Sequence, residues 1–91
     1  MRVARRFVIA GSVQGVGFRW FAQSAAAREG VTGYVMNRPD GTVEAFVEGD
    51  IDAVTRVERA LRTGPAGARV TDVECADEPP SGAYKTFSIR H

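Results

Sequence analysis

The sequence predicts an α+β sandwich in which two amphipathic helices lie on one face of an antiparallel sheet. Three observations carry that expectation. Strand and helix periodicities alternate along the chain in the order βαββαβ, with one further strand at the end. A Pro-Asp-Gly turn divides the second strand from the third. The chain has 91 residues, 44% of them hydrophobic, which suits one core and one domain spanning residues 1–91.

Val3 to Ala10 is rich in Val, Ile and Phe and reads as the first strand, with Arg5 and Arg6 on opposite faces so that the buried side stays open. From Phe18 the apolar or small positions Phe18, Phe21, Ala22, Ala25 and Ala26 form the stripe of a helix, and Gly30 stops it. Val31 to Asn37 is short, β-branched and aromatic, a second strand. Arg38-Pro39-Asp40-Gly41 then supplies a fixed φ, a locally bonding carboxylate and a residue tolerant of positive φ, the makings of a hairpin. Beyond it Val43, Ala45 and Val47 alternate with Thr42, Glu44, Phe46 and Glu48, so the first set is expected inside and the second largely wet. Asp50 can cap a second helix with Ile51, Val54, Val57 and Leu61 on one stripe, ended by Gly64-Pro65. Two strands follow, around Arg69 to Cys75 and Tyr84 to Ile89, separated by Pro79-Pro80-Ser81-Gly82. Right-handed crossovers in each βαβ half leave room for a third strand between the parallel pair, which makes this a ferredoxin-like βαββαβ sandwich with an additional C-terminal edge strand.

The composition narrows the function. With 12 basic and 11 acidic residues the net charge is +1, which lacks the footprint of a nucleic-acid binder. Tyr34 and Phe46 could serve as RNA-stacking aromatics on central strands, but the sequence has no RNP1 pattern. No run has membrane-spanning length, and Phe7 to Ala10 is too short for the apolar segment of a signal peptide, so a cytoplasmic address and no membrane partner are expected. Cys75 is the only cysteine, which rules out an internal disulfide and reads as a small half-buried residue. No metal site is expected: His91 is the sole histidine, and no carboxylate cage is evident.

The stretch Gly11-Ser12-Val13-Gln14-Gly15-Val16-Gly17-Phe18-Arg19 joins the first strand to the first helix. Gly15 and Gly17 permit positive φ, so successive backbone amides of this loop can turn toward an anion, and the loop ends at a helix N-terminus that favours phosphate. Trp20 stands where a dinucleotide fingerprint needs its third glycine, and the Gly-Lys-Ser/Thr of a nucleotide-binding P-loop is absent. A glycine turn alone equally describes a tight connection. Arg19 shifts the balance: a cation opposes the helix dipole at this end unless an anion lies between them, and its planar fork suits two phosphoryl oxygens.

Asn37 is the second candidate. The first and second strands run parallel, so the loop and Asn37 emerge at one edge of the sheet about two strand spacings apart, roughly 9–10 Å. An amide there can both donate and accept, and so hold a water, although a routine turn-entry residue fits as well. Arg38 could add charge or stay solvated. Asp40 and Glu44 read as structural. Trp20 falls off the core stripe and either lines the mouth of the site or packs on the surface.

These residues resemble the acylphosphatase family. Gly11 to Arg19 is similar to its first signature, and Gly33-Tyr34-Val35-Met36-Asn37-Arg38-Pro39-Asp40-Gly41-Thr42-Val43-Glu44 to its second; the likeness continues through Glu48-Gly49, Gly64-Pro65 and Phe87-Ser88-Ile89-Arg90. The resemblance implies a hydrolase that splits the carboxyl-phosphate bond of small acyl phosphates without metal, cofactor or phosphoenzyme. Amides from Gln14 through Arg19 and the Arg19 guanidinium would hold the phosphate, with inorganic phosphate or sulfate as ready occupants, and Asn37 would orient the attacking water. A monomer is expected. Similar modules occur within larger proteins that mature hydrogenases, so a carbamoyl-phosphate-handling or catalytically idle domain is the alternative.

Overall fold

The computed structural model describes Met1 to His91. Its elements are β1 (Arg2–Ser12), α1 (Phe18–Glu29), β2 (Thr32–Asn37), β3 (Val43–Asp50), α2 (Ile51–Thr63), β4 (Arg69–Glu78) and β5 (Phe87–Arg90). The strands form one sheet in the order β4-β1-β3-β2-β5. Both β1 and β2 pair antiparallel with β3, from opposite sides, so β1 and β2 run parallel with β3 between them. That is the arrangement expected from the sequence, and it brings the end of β1 and the end of β2 to the same edge.

The helices cover one face. Phe18, Ala22, Ala25 and Ala26 are the buried residues of α1, and Ala53, Val54, Val57 and Leu61 those of α2. They close over Phe7, Ile9, Val35, Val43, Ala45 and Val47 from the sheet, so the apolar stripes account for the core directly. The Asp50 side chain accepts from the Asp52 amide at 3.1 Å and caps α2. Gly30, in the left-handed region at φ 71°, ends α1.

Three expectations require correction. The sheet is mixed, not wholly antiparallel: β5 pairs parallel with β2, Gly33 opposite Phe87 and Met36 opposite Arg90. The chain leaves β4 on one edge, crosses the sheet and joins the opposite edge running in the direction of β2, so Tyr84 to Thr86 belong to the crossing and not to a strand.

The same crossing overturns the expectation that Glu44, Phe46 and Glu48 face water together. Phe46 is 7% exposed and Glu48 1%. Tyr84, carried by the crossing segment, packs its ring 5.8 Å from that of Tyr34 and 5.3 Å from that of Phe46. The Arg90 guanidinium sits 3.9 Å above the Tyr34 ring. These aromatics form a small second core with Ala4, so they offer no stacking platform for RNA bases. Glu48 accepts from the amides of Ser81 and Gly82 and from Arg2. Burial alone raises a carboxyl pKa; here the donors from Ser81, Gly82 and Arg2 outweigh it and hold Glu48 below its ordinary value.

The third correction is Cys75, which is exposed. It lies on β4, an edge strand whose half-buried side chains are Val70, Val73 and Glu78, and nothing covers its outer part. Burial of the thiol's inner side still pushes its pKa up.

Gly33 is set by close packing. At φ 139°, a Cβ added there would stand 1.8 Å from the Phe46 carbonyl oxygen on the neighbouring strand, so only glycine lets β2 and β3 approach in this register.

Candidate active site

At the shared edge, Val13, Gly15, Gly17, Phe18, Arg19, Trp20 and Asn37 line a cavity of about 100 Å³. It has room for a few waters or one tetrahedral anion. The β1–α1 loop and the end of β2 therefore meet as the parallel-strand argument requires, and they bring Arg19 and Asn37 together.

The loop's backbone explains its chemistry. Gly15 and Gly17 adopt φ 74° and 78°, and a Cβ on either would meet nothing within 4 Å. Glycine is required here by conformation and not by crowding. Gly17 is also the N-cap of α1, with no side-chain cap and no acidic residue in the first turn. Backbone hydrogen bonding resumes only with the Phe21 amide, which donates to the Gly17 carbonyl. The amides of Gln14 through Trp20 have no acceptor within the protein. A run of unsatisfied donors ending at a helix N-terminus favours negative charge.

Arg19 forms no ion pair with any carboxylate, whereas Arg2, Arg5, Arg6, Arg38, Arg56 and Arg62 all do. Its one side-chain contact is to His91: Nη1 donates to Nδ1 at 3.3 Å. Guanidinium has no acceptor, so this geometry requires the imidazole tautomer that carries its proton on Nε2. No motif in the sequence marks His91 for this contact. The register explains how it arrives: Met36 faces Arg90 across the parallel β2–β5 pair, which puts the next residues, Asn37 and His91, at the same level. Nothing local signals a contact that depends on which edge the last strand joins.

Gln14 ties the loop down through its side chain. Its Nε2 donates to the carbonyls of Arg38, at 2.8 Å, and Thr42, at 3.0 Å, which straps the loop to the β2–β3 turn. Its side chain is thus engaged, and Gln14 does not itself line the cavity. The turn is stiff in its own right: Asp40 accepts from the amide and hydroxyl of Thr42 at 3.0 and 2.6 Å, and those bonds hold its carboxyl below the usual range. Asn37 occupies the last position of β2, opposite Val43, and its side chain lines the cavity.

The remaining charges are committed elsewhere. Arg38 lies 3.8 Å from Asp40 and 3.7 Å from Glu44, so it does not add to the cavity's charge. Glu44 accepts from the Tyr34 hydroxyl; burial of the phenol and this bond push the Tyr34 pKa up to about 12. Trp20 is 72% exposed beside the cavity, which resolves its two readings in favour of the mouth. The cavity lining itself contains no carboxylate, thiol or hydroxyl side chain, and no three His, Cys, Asp or Glu side chains cluster anywhere in the protein.

Comparison with known proteins identifies the family. The acylphosphatase family model matches residues 5–89. An acylphosphatase from Pyrobaculum aerophilum is 50% identical over 91 residues, covering 98% of this chain and 96% of the relative. One from Anaeromyxobacter dehalogenans is 47% identical over 89 residues with the same coverage, 98% and 96%. The crystal structure of the Bacillus subtilis acylphosphatase superposes with a TM-score of 0.94 at 35% identity, covering 98% of this chain and 99% of that one. Full-length HypF, solved in its phosphate- and nucleotide-bound form, contains a segment that superposes at 0.90 with 28% identity; all of this chain is covered but only 12% of that protein. The chain belongs to the acylphosphatase family.

Proposed function

We propose that this cavity hydrolyses the carboxyl-phosphate bond of small acyl phosphates, releasing a carboxylate and inorganic phosphate, with residues 1–91 acting as one monomeric domain. One observation carries the reading: the β1–α1 loop, whose amides from Gln14 through Trp20 are unpaired, shares one cavity with a guanidinium that has no carboxylate partner. Phosphoryl oxygens would take hydrogen bonds from the amides and from Arg19, which neutralise charge as it develops. The Asn37 amide would hold a water opposite the leaving group through its oxygen, while its NH2 steadies a phosphoryl oxygen.

The water oxygen forms the new bond to phosphorus as the bond to the acyl oxygen breaks, and that electron pair leaves on the carboxylate. One water proton passes to a phosphoryl oxygen of the substrate. No side chain needs to act as a strong base, because the leaving group is stable and the transition state loose. The lining supplies neither a nucleophile for a phosphoenzyme nor a hard-metal ligand set, which supports a direct, metal-independent displacement. A solitary exposed cysteine suits the reducing cytoplasm as the place of action.

Hydrolysis of benzoyl phosphate in the presence of EDTA tests this. Arg19→Ala and Asn37→Ala should each lower turnover on the order of a hundredfold to a thousandfold. Inorganic phosphate should inhibit competitively and bind the Asn37 variant better than the Arg19 variant, since only Arg19 contacts the anion by charge. Unchanged turnover in both variants overturns the site assignment, and loss of parent activity on adding EDTA overturns metal independence.

A further inference from the structure

Trp20 is the single tryptophan of the chain and stands 72% exposed, a condition shared among large hydrophobic residues only with Met1. It does nothing for the core. The buried residues of α1 are Phe18, Ala22, Ala25 and Ala26, and Phe21 packs against Phe18 with the rings tilted by 58° and 6.0 Å between centroids. The two tyrosines and Phe46 are enclosed in their own cluster on the opposite face. Only Trp20 leaves an indole open to water, and it does so beside Arg19, Asn37 and the two loop glycines.

The size of the cavity gives that position a meaning. About 100 Å³ matches one tetrahedral anion and leaves no room for an acyl chain beside it. Once the phosphate is seated on the loop amides, the acyl part must project past the rim. Resting on the proposed acyl-phosphate reading, we propose that Trp20 is the acyl-group platform and makes the enzyme selective for acyl phosphates with a planar aromatic or extended apolar acyl group over acetyl phosphate. An indole face offers such a group dispersion contact and removal of apolar surface from water, and offers almost nothing to a methyl group. The contact lies away from phosphorus and is the same before and during bond cleavage, so it acts on KM more than on kcat.

The test compares kcat and KM for benzoyl phosphate and acetyl phosphate in the parent, Trp20→Ala and Trp20→Phe. The benzoyl-over-acetyl preference in kcat/KM should fall about tenfold in Trp20→Ala, chiefly through KM for benzoyl phosphate, and recover in large part in Trp20→Phe. Because Trp20 is the only indole, its fluorescence gives a readout independent of turnover. Benzoylphosphonate, a non-hydrolysable analogue, should perturb the parent's emission, and should do so more than inorganic phosphate at equal occupancy. An equal loss on both substrates, or an unaltered preference, overturns the platform role. A parent inactive toward both substrates overturns the acyl-phosphate reading itself and the platform with it, an outcome distinct from an active parent whose preference does not depend on Trp20.

Discussion

Replacing Glu48 with Gln perturbs the link between the sheet and the segment that crosses it, and the structure allows the effect to be worked out. The carboxylate is fully enclosed. Oε1 accepts from the Ser81 amide at 3.0 Å and its hydroxyl at 3.1 Å, while Oε2 accepts from the Gly82 amide at 2.8 Å and Arg2 Nε at 3.1 Å. Glutamine retains one oxygen, which can keep Ser81, but its NH2 group then confronts the Gly82 amide and Arg2, donors against a donor. Arg2 is half exposed, so its share is screened and small. Losing one charge-assisted backbone bond and stranding its donor costs about 2–3 kcal/mol, or roughly 10–20 °C in melting temperature for a chain of this size.

Proton linkage gives the prediction a second arm. The folded pKa of Glu48 lies below the 4.5 of an unperturbed glutamate, so the unfolded chain binds its proton first as pH falls. The stability supplied by the carboxylate is complete above the unfolded value and disappears as pH drops through the folded one. Urea unfolding of parent and Glu48→Gln should therefore differ by the full amount at neutral pH, and the gap should close under acid conditions as the parent's own Glu48 becomes neutral. A neutral-pH difference below about 0.5 kcal/mol, within the scatter of ordinary surface substitutions, would refute the reasoning. A gap that stays constant into acid would refute it equally.

Two other substitutions probe how the site is held. Gln14→Ala removes both hydrogen bonds from the loop to the β2–β3 turn; kcat/KM for benzoyl phosphate should fall about tenfold or more while the circular dichroism spectrum is unchanged, with a stability loss of about 1 kcal/mol in urea. Gly33→Ala drives a Cβ to 1.8 Å from the Phe46 carbonyl at a backbone angle that L-residues avoid, and should cost about 3 kcal/mol or more, read as a lowered urea midpoint or loss of soluble protein.

Local rules suffice for most of the elements and for the two ends of the site. Apolar spacing in Phe18 to Ala26 and in Ile51 to Leu61 places both helices, because a helix must bury one stripe wherever it docks. Gly15 and Gly17 announce a loop with left-handed residues, and the parallel relation of β1 and β2 follows from a helical crossover between them, so the sequence places Asn37 at the loop's edge. Alternation in β3 failed at Phe46 and Glu48 for an equally physical reason. A period of two distinguishes the faces of a strand but does not say whether a distant segment covers the second face.

Sequence by itself thus determined the helices, the hairpin, the glycine loop and the placing of Arg19 beside Asn37, all of which depend on neighbours along the chain or on one crossover. Tertiary structure alone decided where the last strand goes. By joining the edge beside β2 in parallel, β5 lays Tyr84 and Ser81 across the open face, buries Glu48 and delivers His91 to Arg19. Edge choice is settled by the summed packing and hydrogen bonding of groups far apart in the chain, and no local pattern of four strand residues encodes it.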